Sequence, residues 1–512
     1  MRCLTITYDE VYGAKVRLRY ATLINFVTRI LGTFASLLFV IVVARRLSVE
    51  EFGIWTMIFR YISYVIPFVT IYNYWLPRTI SRGINTAKIG IFLAILLGGV
   101  ASITYAGIAY GVSILFNQPF IPLILAIFIL FQDYINECLK SISMAHAPQY
   151  VGIAQLILRI AQAVTGLLLV VFYRLDLYGA VISAIIGRTA MLILLLILNR
   201  NIISKSKVDI SIAKTWLKRS WLPIYNNIQV SIFALDVFII RSLLGTEEPI
   251  AYYGISLSLL GLTMASFQVM PALYSKLLAK RDLRDVFEAF WIAYMLSIPM
   301  AIGLLVYMEP ILAVYNIDYV NASNIIRIFV ISSIMRLFES LLRTTLSGLE
   351  YRDYESTNID LKKTVLFKIP TLNIIITITY LIALTIIASI IKDIMYVAML
   401  WGIIYSMRFI ALILSYNYLL KREFNVVMPY KELLKSMAKF FIASLTIVIN
   451  GFIIYPVKPQ PNIYVLINNL APAIAISATM YFIILYIIDS KMRDLVKSII
   501  IYVRRIILFS SA

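Results

Sequence analysis

Residues 25–75 read NFVTRILGTFASLLFVIVVARRLSVEEFGIWTMIFRYISYVIPFVTIYNYW, in which two long apolar runs are joined by the charged turn ARRLSVEEFG. Each run is long enough to cross a bilayer as a helix. Each also carries one arginine well inside it, Arg29 in the first run and Arg60 in the second. An ionised side chain inside the hydrocarbon is costly, so such residues seldom face lipid and usually serve a function. The stretch predicts a membrane hairpin with a cation in each arm.

The composition extends this interpretation to the whole chain. Of 512 residues, 61% are hydrophobic and only 14% are charged, which is too apolar for a set of soluble domains and typical of a polytopic membrane protein. The net charge of +20 is spread through the loops and forms no basic domain, which argues against a nucleic-acid partner. With a single histidine and two distant cysteines, Cys3 and Cys138, we expect no disulfide, no metal site and no cofactor.

Runs of about 20 mostly apolar residues predict an all-α protein with about fourteen transmembrane helices. They lie near 20–44, 52–75, 88–116, 121–143, 150–172, 178–199, 220–244, 251–275, 287–314, 321–347, 364–388, 395–420, 437–456 and 464–488.

An internal repeat groups these spans. The turn after the first span is echoed after the seventh as IRSLLGTEEPIAYYG, and spans four to six resemble spans ten to twelve. We therefore predict two homologous six-helix lobes, residues 1–199 and 200–420, which face the same way in the membrane. Residues 421–512 would add two further helices and a tail. From Met492 onward this tail predicts a basic amphipathic helix on the anionic inner leaflet.

The distribution of Lys and Arg predicts the orientation. One side of the membrane, which holds both termini, carries about 31 of the loop cations, and the other carries about 6. Both termini and the 200–219 loop are therefore expected in the cytoplasm. The protein is expected in the cell membrane.

The ionisable residues inside the spans are the candidate site. The deep cations, for which we predict substrate binding, are Arg29, Arg60, Arg159, Arg188, Arg336 and Arg408. The deep acids are fewer: Asp133, Glu137, Asp236 and Glu339. Helical spacing allows part of this charge to pair within a helix, through Glu137 with Lys140 and Glu339 with Arg343. The excess of arginine favours an anionic ligand, above all phosphate, which a guanidinium binds through paired donors.

Arg29, Arg60, Arg188 and Arg408 carry the sharpest expectation. Each lies about 8–13 residues into its span, a depth of about 12–20 Å, which is the middle of the hydrocarbon layer. We expect them to converge on a cavity between the two predicted lobes. The contrary interpretation is that they bond backbone carbonyls where helices cross. Asp236, the deep acid of span seven, is a candidate for ion coupling, or else the structural partner of a buried arginine.

The turn after the first span resembles a known family. In the polysaccharide-export, or oligosaccharide flippase, family of the multidrug/oligosaccharidyl-lipid/polysaccharide exporter superfamily, this turn reads approximately A-R-x-L-G-x-x-x-F-G. Here Ala44, Arg45, Leu47, Phe52 and Gly53 match it, and Ser48 replaces the usual glycine.

The resemblance implies a V-shaped alternating-access transporter. Its substrate would be a polyprenyl-pyrophosphate-linked oligosaccharide, moved to the outer leaflet for polysaccharide or glycoprotein assembly. It also implies a monomer that is not an enzyme and that works beside glycosyltransferases or a polymerase. By the same resemblance, cavity arginines would face the carrier's pyrophosphate.

Two other functions compete with this interpretation. A cation-coupled multidrug antiporter of the same superfamily is expected to use acids in its N-terminal lobe, whereas the first span has Arg29 and no acid. A membrane glycosyltransferase or polymerase is expected to have acids or a large loop on the outer face, and the outer loops here are short.

The orientation is tested by cysteine labelling from outside the cell. With both termini cytoplasmic, Ser204→Cys and Ser511→Cys should resist a membrane-impermeant maleimide, and Glu247→Cys should react. Labelling of intact cells at Ser204→Cys would overturn the orientation.

Overall fold

The computed structural model describes residues 18–280, 282–350 and 363–498, and these residues form helices and no strand. The helices of the first half are α1 Leu18–Arg46, α2 Val49–Ile80, α3 Ala87–Phe116, α4 Phe120–His146, α5 Gln149–Phe172, α6 Asp176–Lys205, α7 Ile210–Arg219 and α8 Trp221–Leu244. Those of the second half are α9 Glu248–Thr263, α10 Val269–Lys280, α11 Leu283–Val306, α12 Met308–Tyr315, α13 Ser323–Leu349, α14 Val365–Ile390, α15 Ile394–Phe424, α16 Tyr430–Ile449 and α17 Ile463–Ile488.

Each of the predicted spans corresponds to a helix or a pair of consecutive helices. Within the described residues, 12 helices are long and apolar enough to cross a membrane. The other two predicted spans are α13, which carries Arg327, Arg336, Glu339 and Arg343, and the α9–α10 pair, which is divided by a 3-10 turn, Met264–Gln268. The structure thus confirms an all-α polytopic membrane fold. The predicted tail helix begins at Met492, and its residues after 498 lie outside the described part of the chain.

The chain divides into two compact units. Unit 1 holds the described residues up to Gly254 together with Asn373–Val397, and unit 2 holds Ile255–Leu372 with the described residues from Ala398 onward. In unit 1, α1 packs on α5, α5 on α6, α3 on α4, and α2 on α8. In unit 2, α11 packs on α13 and α16, α10 on α13, and α16 on α17. The lobe boundaries given in the sequence analysis stay a prediction.

The turn before α2 owes its shape to Ser48. Its hydroxyl accepts a hydrogen bond from the Glu51 backbone N–H at 3.1 Å, and the Glu51 carboxylate accepts one from the Ser48 N–H at 3.0 Å. This reciprocal pair satisfies two N–H groups that an uncapped helix would leave open. Serine at the place of the family's glycine therefore begins α2 with a capping box.

The turn motif and its echo pack against each other within unit 1. A Cβ on Gly53 would lie 2.5 Å from the Glu247 carbonyl oxygen, at the start of α9. A Cβ on Gly254 would collide with the Thr56 hydroxyl of α2. Both glycines therefore let α2 and α9 approach more closely than any side chain would allow, as small residues do at helix contacts in membranes.

Helices α1 and α5 pack with a seven-residue register. Gly152 faces Asn25 and Thr28, Arg159 faces Gly32, and Gly166 faces Phe39. The two residue numbers rise together along the contact, so the helices run parallel. Three spans separate them in the chain, and a parallel pair is what results if each intervening span crosses the bilayer.

One residue chosen for outside labelling is unsuitable. Glu247 is only 8% exposed and accepts hydrogen bonds from Arg241 Nε at 2.6 Å and Gln118 Nε2 at 3.0 Å. Burial would keep the labelling reagent away from a cysteine at this position, and loss of these hydrogen bonds would destabilise the fold. Lys392, exposed in the connection between α14 and α15, lies on the same predicted side and is the better outside reporter. Ser204 is exposed and remains suitable, whereas Ser511 lies outside the described residues.

The close contact at Gly53 predicts a selective loss of stability. Gly53→Ala should destabilise the protein by about 1–3 kcal/mol, because the added methyl group meets backbone that has no room to move. Gly99 of α3 has open space around its missing Cβ. Gly99→Ala should therefore leave the thermal melting temperature in detergent unchanged or slightly raised. Equal melting temperatures for the two variants would contradict the contact.

Candidate functional site

A buried ion pair joins α2 to α8 in unit 1. Arg60 Nη2 lies 3.6 Å from Asp236 Oδ2, and the Asp236 side chain has no exposed surface. The Tyr380 hydroxyl of α14 donates to the same Oδ2 at 3.2 Å, and the Val237 N–H donates to Oδ1 at 2.7 Å. Arg60 also donates to the Tyr253 hydroxyl of α9. Four helices thus meet around one carboxylate and one guanidinium.

Aromatic rings enclose this pair. The Arg60 guanidinium carbon lies 5.0 Å from the centre of the Phe233 ring and 4.9 Å from that of Tyr253. The Phe233 and Tyr380 rings are 5.6 Å apart between centres. Rings at these distances attract a cation and exclude water, which strengthens the pairing and makes the loss of either charge expensive. The structure therefore gives Asp236 an arginine partner, one of the two roles considered for it from the sequence.

A second cationic cluster lies where α4, α5 and α6 meet. Arg188 Nε donates to Asp133 Oδ1 at 2.8 Å, and the Arg188 guanidinium carbon lies 5.7 Å from the centre of the Phe59 ring. Arg159 of α5 is near enough to interact electrostatically with both Arg188 and Asp133. Two guanidinium groups thus share the field of one carboxylate, and the cluster keeps a net positive charge.

Arg29 and Arg159 differ from the other deep cations of unit 1. Both residues are exposed, whereas the side chains of Arg60 and Arg188 are each 13% exposed. Neither Arg29 nor Arg159 forms an ion pair with any residue that the structure describes. The aliphatic stem of Arg159 lies beside Gly32, one helical turn from Arg29. These two side chains therefore lie at the protein surface without a carboxylate in ion-pair contact.

In unit 2, Arg408 of α15 is buried at 7% exposure, with its guanidinium carbon 5.4 Å from the centre of the Phe409 ring. Arg336 of α13 is half-buried, and it has no ion pair with a described residue.

The pairing within helices is found where helical spacing predicts it. Glu339 lies 3.5 Å from Arg343 in unit 2, and Glu137 accepts from Lys140 in unit 1. Asp133, one turn before Glu137 on α4, accepts a hydrogen bond from Arg188 of α6. Every deep acid thus has a basic partner.

Sequence reasoning missed the tyrosines of the α2–α8 pair. Tyr253 lies near the start of α9 and suggested only an interfacial aromatic, and Tyr380 lies in an apolar helix without a distinguishing pattern. A weak signal was present, because Tyr253 directly precedes Gly254 in the repeated turn. The described residues contain no group of three or more His, Cys, Asp or Glu side chains that could hold a metal ion.

Solved structures of two transporter types resemble this chain. The lipid II flippase MurJ in an inward closed conformation matches with a TM-score of 0.61 at 16% identity, over 93% of this chain and 100% of that one. An inward-facing multidrug resistance MATE family transporter of the MOP superfamily matches with a TM-score of 0.55 at 12% identity, over 76% and 93% of the two chains. A MATE structure in the straight conformation gives 0.53 at 12%, over 80% and 96%.

These likenesses show that the chain has the membrane-transporter fold shared by MurJ and MATE proteins. No family model and no curated sequence matches it.

For the Arg60–Asp236 pair we expect the single variant Arg60→Met to lose more stability than the double variant that also lacks the carboxylate. Arg60→Met leaves a fully buried carboxylate without its cation and should cost about 3–5 kcal/mol of stability. Adding Asp236→Asn removes that carboxylate charge, so the double variant should recover most of the lost melting temperature. Thermal unfolding in detergent measures all four corners of the cycle, and additive losses would show that the pair is not coupled.

Proposed function

We propose that this protein is a flippase that moves an anionic, lipid-linked oligosaccharide across the cell membrane. The observation that carries the proposal is that Arg29 and Arg159 are exposed at mid-span and form no ion pair with a described residue. The transporter fold supports it. A fold alone assigns no substrate, so the chemistry of these side chains is the main argument.

Placing an arginine within a membrane span costs free energy unless a counter-charge or hydrogen bonds compensate its positive charge. Arg60 and Arg188 have acidic partners within unit 1. Arg29 and Arg159 form no ion pair with a described residue, and Arg159 only shares the field of Asp133 with Arg188. A ligand that brings two or more negative oxygens would compensate them. The pyrophosphate that links a glycan to a polyprenyl carrier offers such oxygens in the geometry that guanidinium groups bind.

The same cations argue against a cation-coupled multidrug antiporter. A site for cationic drugs needs an accessible carboxylate without a cation of its own. In unit 1, Asp236 has no exposed surface, Asp133 is held by Arg188 and Glu137 by Lys140. An anionic substrate therefore suits unit 1 better. Further candidates for substrate binding are Arg60, Arg188, Arg336 and Arg408. A substrate phosphate could replace Asp236 at Arg60 and Asp133 at Arg188.

The remaining features belong to the same proposal. Translocation would run from the cytoplasmic to the outer leaflet by alternating access, with both termini in the cytoplasm. Glycosyltransferases or a polymerase would supply or consume the glycolipid, and the protein itself would act as a monomer and not as an enzyme.

The substrate role of the exposed arginines is tested by Arg29→Ala and Arg159→Ala. Each should lower flipping by about tenfold or more, because each removes a charge-assisted contact to phosphate. Arg→Lys at either position should retain part of the activity, since the charge stays and the bidentate fork is lost. Transport of a lipid-linked oligosaccharide is measured in proteoliposomes alongside folded yield.

Arg78→Ala is the matched control. Arg78 is also exposed, but it lies near the end of α2 and donates to the Tyr74 carbonyl at 2.7 Å. Its removal should leave flipping unchanged. Well-folded Arg29→Ala and Arg159→Ala variants with undiminished flipping would refute the site.

Asp236 is the candidate for ion coupling. A carboxylate held by one arginine and one tyrosine could take up a proton or a metal cation when the substrate phosphate engages Arg60. Flipping by Asp236→Asn should then become independent of an imposed proton or sodium gradient. A variant that still responds to the gradient as the wild type does would leave Asp236 with a structural role only.

A further inference from the structure

A groove of about 540 Å³ lies in unit 2, and none of the deep arginines discussed above lines it. Its walls come from the first turns of α14 and the last three turns of α15, including Phe367, Lys368, Leu372, Leu414, Tyr418 and Arg422. The two helices are consecutive and joined by a short connection. The beginning of α14 and the end of α15 therefore lie at the same membrane boundary.

One end of the groove is cationic. Arg422 is exposed, and its Nη1 donates to the Tyr418 hydroxyl at 3.4 Å. It has no carboxylate partner in the described part of the chain. Lys368 donates to Glu423 at 2.6 Å, with 32% of the lysine side chain still exposed. After this pairing, the positive charge of Arg422 remains free to attract an anion.

The other end is apolar, although two hydroxyl groups line the wall between the ends. The Thr371 hydroxyl donates to the Phe367 carbonyl at 2.7 Å, and the Ser415 hydroxyl donates to the Ala411 carbonyl at 2.8 Å. Both donors are thus used within their own helices. Beyond them the walls are Leu372 and Leu414, and Leu414 is 65% exposed.

The spacing of these groups matches an amphiphile. Eight residues separate Leu414 from Arg422, which corresponds to about 12 Å along the helix. A phosphate at Arg422 would therefore place attached hydrocarbon beside Leu414. A glycan would find no spare hydroxyl donor at Thr371 or Ser415, because both already donate to backbone carbonyls.

We propose that this groove is a binding site for an anionic glycerophospholipid of the surrounding membrane. The phosphate would lie against Arg422 and Lys368, the Tyr418 hydroxyl beside it, and one acyl chain along Leu372 and Leu414. The groove opens at the membrane boundary that the Lys and Arg distribution assigns to the cytoplasm, where anionic lipids are concentrated. The site is independent of the proposed flippase function.

Native mass spectrometry of the full chain tests the site directly. The protein is delipidated in detergent and titrated with phosphatidylglycerol or phosphatidylcholine of identical acyl chains. The wild type should bind one phosphatidylglycerol at least about tenfold more tightly than phosphatidylcholine. Arg422→Gln should abolish that preference, because the remaining Lys368 is already paired with Glu423.

Three further variants make the result specific. Lys421→Gln, at the exposed neighbouring position outside the groove, should bind as the wild type does. Ser415→Phe, which fills the groove without changing charge, should lower occupancy by both lipids. Lys368→Met with Glu423→Gln removes the paired charges together, so it should keep the fold and weaken phosphatidylglycerol binding less than Arg422→Gln. Melting temperatures confirm that each variant is folded.

Four outcomes would overturn the proposal. They are equal affinity for the two lipids, loss of binding in Lys421→Gln as large as in Arg422→Gln, displacement of phosphatidylglycerol by inorganic phosphate alone, and its displacement by one equivalent of a polyprenyl diphosphate. The third would indicate a simple anion site, and the fourth a site for the transported carrier.

Discussion

A carboxylate without access to water needs its counter-charge, and in unit 1 this requirement organises four helices. Asp236 of α8 takes its cation from α2 and a hydrogen bond from Tyr380 of α14, and Arg60 in turn bonds Tyr253 of α9. The segment Asn373–Val397 is far from the rest of unit 1 in sequence. Tyr380 of this segment donates one of the hydrogen bonds that join the segment to the other helices of unit 1. In the hydrocarbon, where no water substitutes for a missing partner, such bonds decide which helices stay together.

The charges of unit 1 divide into two kinds once this constraint is recognised. Arg60 and Arg188 are largely enclosed and held by acids, so they stabilise helix contacts whatever else they do. Arg29 and Arg159 are exposed and form no ion pair with a described residue, so their charges are compensated less well within the protein. Residues of one type at similar depth therefore have different physical surroundings, and Arg29 and Arg159 are the ones that the proposed anionic substrate would compensate.

The sequence predicted the membrane spans well and the ion pairs between helices poorly. A span depends on neighbouring residues, whereas an ion pair between helices depends on residues far apart in the chain. A span is a local property, because some 20 apolar residues in a row are decisive wherever they occur. The pairs Glu137–Lys140 and Glu339–Arg343 are also local and followed from helical spacing. Asp133 has only another acid, Glu137, at the following turn of its own helix, and its basic partner is Arg188 of α6, 55 residues distant. Which face α4 turns toward α6 depends on packing that single-helix periodicity does not contain. Asp236 and Arg60 were both singled out, but their contact was not.

The seven-residue register of α1 and α5 has a consequence for evolution. A Cβ on Gly32 would lie 3.8 Å from the Arg159 Cγ, so a side chain longer than alanine would crowd the arginine stem. Gly152 and Gly166 receive side chains of α1 one heptad to either side. Along this contact the glycine therefore comes from α5, then from α1, then from α5 again, and the other helix supplies the larger side chain each time. Positions 32 and 159 should co-vary among relatives, so that a larger residue at 32 accompanies a shorter one at 159. A lineage that replaces the glycine by a long side chain would then also shorten residue 159, and this face of unit 1 would lose a positive charge.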